Sequence, residues 1–182
     1  KSLTTWIAPI LCFTAEEVWL ARFPSENGSV HNETFPEVPA SWRNDALSEK
    51  WKKIRTVRRA VTGALEIERA QKRIGSSLEA APVVYIDNVE LFAAVVDVDL
   101  AEVCITSAAT LVEGDGRQHG AIYMGSDYPA GVGVAPLRAH GKKCARSWKI
   151  TESVGTDPDF PDVSPRDAQA LREWEAMRKA AE

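Results

Sequence analysis

Apolar residues at Leu47, Trp51, Ile54, Val57, Val61 and Leu65 recur at three- and four-residue steps, drawing one stripe along about five turns of helix. Lys52, Arg55 and Arg59 share a face away from that stripe, because residues three and four apart stack on one side of a helix. The pattern predicts a long amphipathic helix with a basic back. Asn44 or Asp45 is placed to cap its start, and Gly75 stands where the left-handed residue that ends a helix is wanted.

The flanking patterns differ. Residues 1–23 read as helix, with Pro9 suited to a first turn or a kink and Thr14-x-x-Glu17 at capping-box spacing ahead of Val18, Trp19 and Leu20. Residues 24–39, rich in Pro, Asn, Gly and Ser, read as a loop. Beyond Gly75 the period shortens: Leu78, Ala80, Val84 and Ile86 alternate, and the β-branched and aromatic run Val83-Val84-Tyr85-Ile86 predicts a strand. Ser76-x-x-Glu79 offers a short capped helical turn as the alternative. A helix over 88–96, a strand over 102–107, a Gly-rich loop from Gly114 to Gly133, a strand over 132–139 and a closing helix over 166–181 complete the reading. The expected class is α+β, with helices of a bundle over residues 1–75 and a small α/β domain over 76–182.

Composition adds little to this until charge is mapped. At 182 residues, with 45% apolar and 26% charged, the chain can bury one good core or two small ones. No apolar run approaches the length needed to span a bilayer, so no membrane contact is expected. The opening Lys1-Ser2-Leu3-Thr4-Thr5-Trp6 has neither an initiator Met nor a signal-peptide pattern and reads as the middle of a helix, so a piece of a longer protein is expected. Cys12, Cys104 and Cys144 are odd in number and far apart, which favours a reducing, cytoplasmic setting. The net charge of −4 excludes a uniformly basic nucleic-acid binder. Its distribution does not: residues 43–73 hold ten Lys or Arg against four acids, a local +6 that leaves −10 for the remainder. A second basic run, Arg138, Lys142, Lys143, Arg146 and Lys149, contains no acid. Two positive patches on an acidic chain suit local contact with a polyanion, and two solvated faces are the plainer reading of the same pattern.

Candidate chemistry concentrates near the end. Cys144-x2-Ser147, sixteen residues, then Ser164-x2-Asp167 has the spacing of a zinc ribbon with two C-x2-C pairs, but one thiol among four positions. Structural zinc is held by Cys and His, and a serine hydroxyl stays protonated at neutral pH, so this set is not expected to hold zinc. Ser164-Pro165-Arg166-Asp167 instead reads as a helix start, with Ser at N-cap, Pro at N1 and an acid at N3. Such a cap is worth about 1 kcal/mol, against roughly 10 kcal/mol or more for a structural zinc. Packing by Trp148, Phe160, Pro161 and Trp174 is expected to make up the difference. Trp148 and Trp174 are either core or stacking platforms: a ring among Lys142, Lys143, Arg146 and Lys149 is what an unpaired RNA loop wants, with bases stacking on the indole and cations meeting phosphates. His31, His119 and His140 stand without partners at motif spacing and read as surface histidines. Gly131-Val132-Gly133 lacks the third glycine of a dinucleotide loop. No catalytic constellation emerges.

These segments carry a resemblance. Ile7-Ala8-Pro9-Ile10-Leu11-Cys12-Phe13-Thr14-Ala15-Glu16-Glu17-Val18-Trp19 resembles the helix start in the anticodon-binding domain of class I synthetases for isoleucine, valine and leucine, where Pro usually stands at Cys12. Lys72-Arg73-Ile74-Gly75-Ser76-Ser77-Leu78-Glu79-Ala80 resembles the segment after the helical domain in isoleucyl-tRNA synthetases specifically. Gly141-Lys142-Lys143-Cys144-Ala145-Arg146-Ser147-Trp148 is similar to that family's C-terminal zinc knuckle, Gly-Glu-Lys-Cys-x-x-Cys-Trp, here spanning about residues 138–167. Three of the family's four cysteines correspond to Ser147, Ser164 and Asp167.

The resemblance implies a full enzyme that activates isoleucine with ATP and Mg on a Rossmann core, transfers it to tRNA and edits misactivated valine. The motifs H-I-G-H and K-M-S-K-S of that core are absent from this chain. The implied role of this part is to grip the anticodon stem-loop of isoleucine tRNA, with Lys52, Arg55 and Arg59 tracking phosphates and Lys142, Lys143, Arg146, Trp148 and Lys149 approaching the anticodon. Its other implied partner is the catalytic core of the same polypeptide. Alternatives are a free-standing RNA-binding module and a purely structural cap.

Overall fold

The computed structural model describes residues 1–123 and 131–181, which form two compact units, Lys1–Asp45 and Ala46–Glu182. Among them no helix is long and apolar enough to cross a membrane. In the first unit Pro9 breaks the expected single helix in two, α1 (Ser2–Ile7) and α2 (Cys12–Arg22). The Thr14 capping box does not form: α2 starts three residues earlier, behind Leu11, which supplies no side-chain cap. Ala8, Ala15, Trp19 and Val30 make its small core. Glu16 holds the following loop by accepting from Ser29 Oγ and Val30 N–H, both at 2.9 Å.

The second unit is built on α3 (Asp45–Ala70), which buries Ile54, Val57, Ala60, Val61, Ala64 and Leu65. Leu47 and Trp51, at the head of the predicted stripe, stay outside the core, 48% and 40% exposed. The helix ends one turn before Gly75, with Lys72 in the left-handed region at φ 57°. Lys72 N–H bonds to Arg69 O and Arg73 N–H to Glu68 O, both at 2.9 Å, the paired bonds of a Schellman ending. That geometry turns Arg73 back onto the buried Glu68 carboxylate. Hydrogen bonds from Arg73 hold Glu68 below the ordinary carboxylate range, outweighing the burial that pushes it up, and the guanidinium charge adds to the lowering.

Ser76 caps the short turn Ser77–Glu79 through Leu78 N–H, and β1 (Val83–Ile86) follows, so turn and strand both form, in succession. The predicted helix is α4 (Val89–Val95), capped by Asn88. The strand expected over 102–107 is instead α5 (Leu100–Cys104): Asp99 accepts from Glu102 N–H at 3.1 Å and Ile105 stops the helix in the left-handed region. The cap outweighs the β-branched residues there, and β2 (Thr110–Glu113) begins later. β3 (Ile122–Tyr123) and β4 (Val132–Ala135) complete a sheet of order β2-β1-β4-β3. Part of the predicted Gly-rich loop, residues 124–130, lies outside the described residues. β1 and β2 run parallel, Val83 beside Thr110 and Ile86 beside Glu113, and β4 is antiparallel to both β1 and β3. A parallel pair requires a crossover, and α4 and α5 supply it.

The stripe of α3 packs against Val84, Ile86, Val132 and Val134 of the sheet and Val95, Leu100 and Cys104 of the crossover in one core. For this reason the compact units divide at Asp45 and not near residue 75. A two-stranded ribbon, β5 (Lys142–Lys143) with β6 (Ile150–Thr151), and a last helix, α6 (Pro165–Ala181), end the chain.

Two measurements check this packing. Ile54→Ala should cost about 2–5 kcal/mol in urea denaturation, whereas Leu47→Ala should cost under about 1 kcal/mol. Arg73→Ala leaves Glu68 buried and unpaired and should cost about 1–3 kcal/mol at neutral pH. A depressed carboxyl contributes stability above its unfolded pKa and loses it as pH falls through the folded one, so the gap between variant and parent should close below about pH 4.

Candidate nucleic-acid interface

The described candidate residues fall on two elements of the second unit. On α3, Lys52, Arg55 and Arg59 are exposed along one face. Neighbouring cations are engaged inside the chain: Lys50 with Asp97, Lys53 with Glu90, Arg69 with Glu66 and Arg73 with Glu68. Lys52 pairs with Glu49 at 2.6 Å, but both side chains are mostly solvated, and such a surface pair is worth about 0–1 kcal/mol, so exchange for a phosphate is cheap. Among the described residues Arg55 and Arg59 have no ion-pair partner.

The ribbon carries the second group. Gly141 enters β5 at φ 114°, and a Cβ there would fall 2.2 Å from the Thr151 carbonyl carbon, so glycine lets the two strands close. Between the strands, Cys144 N–H bonds to Lys149 O at 2.8 Å and Trp148 N–H to Cys144 O at 3.0 Å. This tight turn puts Trp148 in the left-handed region, φ 63°. Its indole is 61% exposed, with the Lys143 ammonium 5.2 Å from the ring centroid. Lys142 and Arg146 are exposed on the same turn.

Trp148 is therefore not core, and Trp174, half-exposed on α6 beneath Arg178, is not either. The knuckle's packing comes from Cys144, Val154, Val163 and Ala168, with Phe160 and Leu171 against them. Of the four residues expected to supply it, Phe160 does so, whereas Pro161 is exposed. Arg172 fixes the loop below by reaching Asp157 at 2.8 Å and Asp159 at 3.1 Å.

Lys149 differs from its neighbours. Three-quarters buried, it pairs with Glu102 of α5, while Ile150 N–H bonds to Ser107 Oγ at 2.7 Å. The same helix accepts Arg58 Nε on Val103 O at 2.9 Å. α5 thus tethers both α3 and the ribbon. Sequence reasoning missed Arg58, Glu102 and Ser107; the partners of Lys149 and Ile150 lie 47 and 43 residues away, beyond any local spacing.

Inside the knuckle, Cys144 Sγ lies 3.1 Å from Asp167 Oδ2, and Ser164 Oγ donates to the same oxygen at 2.9 Å. Ser164 Oγ also accepts Asp167 N–H at 3.3 Å, the predicted cap of α6. Burial pushes the Asp167 carboxyl up, but the donors Cys144, Ser147 and Ser164 and the Arg146 charge together leave it lowered. Burial likewise pushes the Cys144 thiol up, and hydrogen bonds from Ser147 and Ser164 overcome it to leave a net lowering. Cys104 is pushed up to about 11 by burial, against the pull of Arg58, and remains a protonated core side chain. His31 and His140 are exposed, and the exposed His119 stacks on Tyr85. The arrangement brings exposed cations and an exposed ring together at the ribbon tip.

Comparison with known proteins fits this chemistry. Residues 1–85 match the anticodon-binding domain of tRNA ligase. The chain is 56% identical over 177 residues to an isoleucine–tRNA ligase of Brucella abortus (strain 2308), covering 97% of the chain and 18% of that protein. It is 57% identical over 176 residues to the isoleucine–tRNA ligase of Agrobacterium fabrum, again 97% of the chain and 18% of the relative. For the isoleucine–tRNA ligase of Bradyrhizobium diazoefficiens the figures are 52% over 176 residues, 97% and 17%. The chain therefore spans under a fifth of the length of these relatives. Taken with the matched domain, the identity carried across nearly all of its residues makes the chain similar to one part of isoleucine–tRNA ligases, a part that includes the anticodon-binding domain.

Proposed function

We propose that this chain is the tRNA-gripping part of a cytoplasmic isoleucine–tRNA ligase, and that it holds the anticodon stem-loop of isoleucine tRNA while a catalytic core of the same polypeptide joins isoleucine to that tRNA with ATP and Mg. The chain itself contributes binding and no chemistry. The observation that carries the reading is the ribbon tip. A largely exposed Trp148, held in a left-handed turn with Lys143 against its ring and Lys142 and Arg146 beside it, gives unpaired bases a stacking surface and phosphates three cations. Arg55, Arg59 and an exchangeable Lys52 on α3 supply contacts that position the backbone without reading sequence. Lys149, paired with Glu102, anchors the ribbon at the site's edge.

Binding of the chain to isoleucine tRNA, followed as a function of salt, tests this. Reversing Lys142, Lys143 and Arg146 to Glu should weaken binding and reduce the slope of log K against log salt by about 2, three phosphates at about 0.7 each for a single strand. Trp148→Ala should cost about 1–3 kcal/mol with the slope unchanged. Arg55→Glu with Arg59→Glu should weaken isoleucine tRNA and an anticodon-swapped tRNA equally. If neither the tip variants nor the anticodon swap changes affinity, residues 76–182 are a structural cap and the proposal fails.

A further inference from the structure

The family's knuckle implies a zinc, and the residues present do not fit one. A structural zinc takes four thiolate or imidazole ligands, each deprotonated at the bound nitrogen or sulfur. Here the four template positions offer one thiol, one carboxylate and two hydroxyls, and the thiol acts as a donor to the carboxylate. Each position has another occupation. Cys144, fully buried among Val154, Val163 and Ala168, donates a hydrogen bond to Asp167 and accepts from Ser164 N–H at 3.4 Å and Ser147 N–H at 3.5 Å. Ser164 and Asp167 cap α6 between them. Among the described residues no other His, Cys, Asp or Glu completes a metal-binding group there.

We infer that a hydrogen-bonded cluster of Cys144, Ser147, Ser164 and Asp167 closes this knuckle in place of zinc, so that the ribbon tip keeps its shape without metal and under chelation. The sulfur sits where a metal-bound sulfur would, at the bend between β5 and β6, with two backbone amides aimed at it. Where a zinc would join the two halves of the knuckle, the Asp167 carboxylate does so: it is on α6, and it receives the thiol from the ribbon. The buried cluster then supports what a single metal centre would otherwise fix.

The experiment uses the chain grown with added zinc, with metal content and melting temperature measured in the absence of RNA, so its result stands apart from the proposed tRNA role. Far less than one zinc per chain and a melting temperature unchanged by EDTA are expected. Asp167→Ala keeps the backbone N–H that Ser164 caps but removes the acceptor for the Cys144 thiol and the Ser164 hydroxyl. It should lower the melting temperature by about 2–4 °C, the shift that loss of a hydrogen bond's worth of stability produces in a domain of this size, to the same extent with and without EDTA. A chain carrying Ser147→Cys, Ser164→Cys and Asp167→Cys should take up one zinc and acquire a melting temperature that falls on chelation. One zinc per unsubstituted chain, with EDTA lowering its melting temperature, overturns the inference. A triple-thiol chain that folds and takes no zinc overturns the claim that these positions form one site; if that variant does not fold, the unsubstituted chain decides the question alone.

Discussion

An apolar stripe on a long helix has to be covered, and the position of every candidate RNA contact follows from how α3 is covered. Ile54, Val57, Val61 and Leu65 meet Val84, Ile86, Val132 and Val134 in one core. Once that face is inward, Lys52, Arg55 and Arg59 face solvent, since they lie on the far side of the same turns. The buried sheet residues of that core come from the antiparallel pair β1 and β4, and the partner of β1 on its other side, β2, is parallel. Parallel pairing demands a crossover, which brings α5 and the following Ser107 beside the ribbon. There Glu102 takes Lys149 and Ser107 takes Ile150 N–H. The stripe thus dictates the sheet, the sheet dictates the crossover, and the crossover holds the ribbon tip.

Features set by neighbours in sequence were legible; features set by distant partners were not. The three- and four-residue period located α3, and Ser164-Pro165-Arg166-Asp167 located the start of α6, because both signals act within one or two turns. The period overran at Leu47 and Trp51, which have the right spacing and stay outside the core. Residues 102–107 looked like strand by composition, but Asp99 at N-cap decided for helix. Gly75 looked like the helix stop because glycine is the usual residue there, whereas Lys72 takes the strained position. The Glu68–Arg73 pair, which the turn aligns, accompanies that choice. In the site, the spacing of Cys144, Ser147, Ser164 and Asp167 was enough to bring the four together on paper. Whether Trp148 pointed in or out depended on a left-handed backbone angle that no spacing encodes.

Charge organisation shows the same division of labour. The local excess of +6 over residues 43–73 overstates what α3 offers a polyanion, because Lys50, Lys53, Arg69 and Arg73 are engaged by acids of the chain itself. Glu66 and Glu68 lie on α3 itself, whereas Glu90 and Asp97 come from the otherwise negative remainder, in α4 and the turn after it. Along that helix, these pairs and the Arg58 bond to Val103 O leave Arg55, Arg59 and the weakly paired Lys52. A narrower patch positions a backbone better than a diffuse one, since the field of scattered cations attracts any polyanion in any register.

The ribbon tip poses the opposite problem, that of presenting a ring and cations on a short turn without letting it collapse onto its own core. Trp148 cannot fold inward, because the space beneath the turn is already filled by Cys144, Val154, Val163 and Ala168. The Asp167 carboxylate accepts from both Ser164 at the start of α6 and the Cys144 thiol, and the Arg146 charge helps keep it ionised, so one carboxylate joins the helix start to the ribbon. Rigidity of that kind lowers the ordering cost of binding. A cap and a thiol bond are individually far weaker than a metal site, but they do not act alone: Gly141 lets β5 and β6 pair at a point where a Cβ would meet the Thr151 backbone.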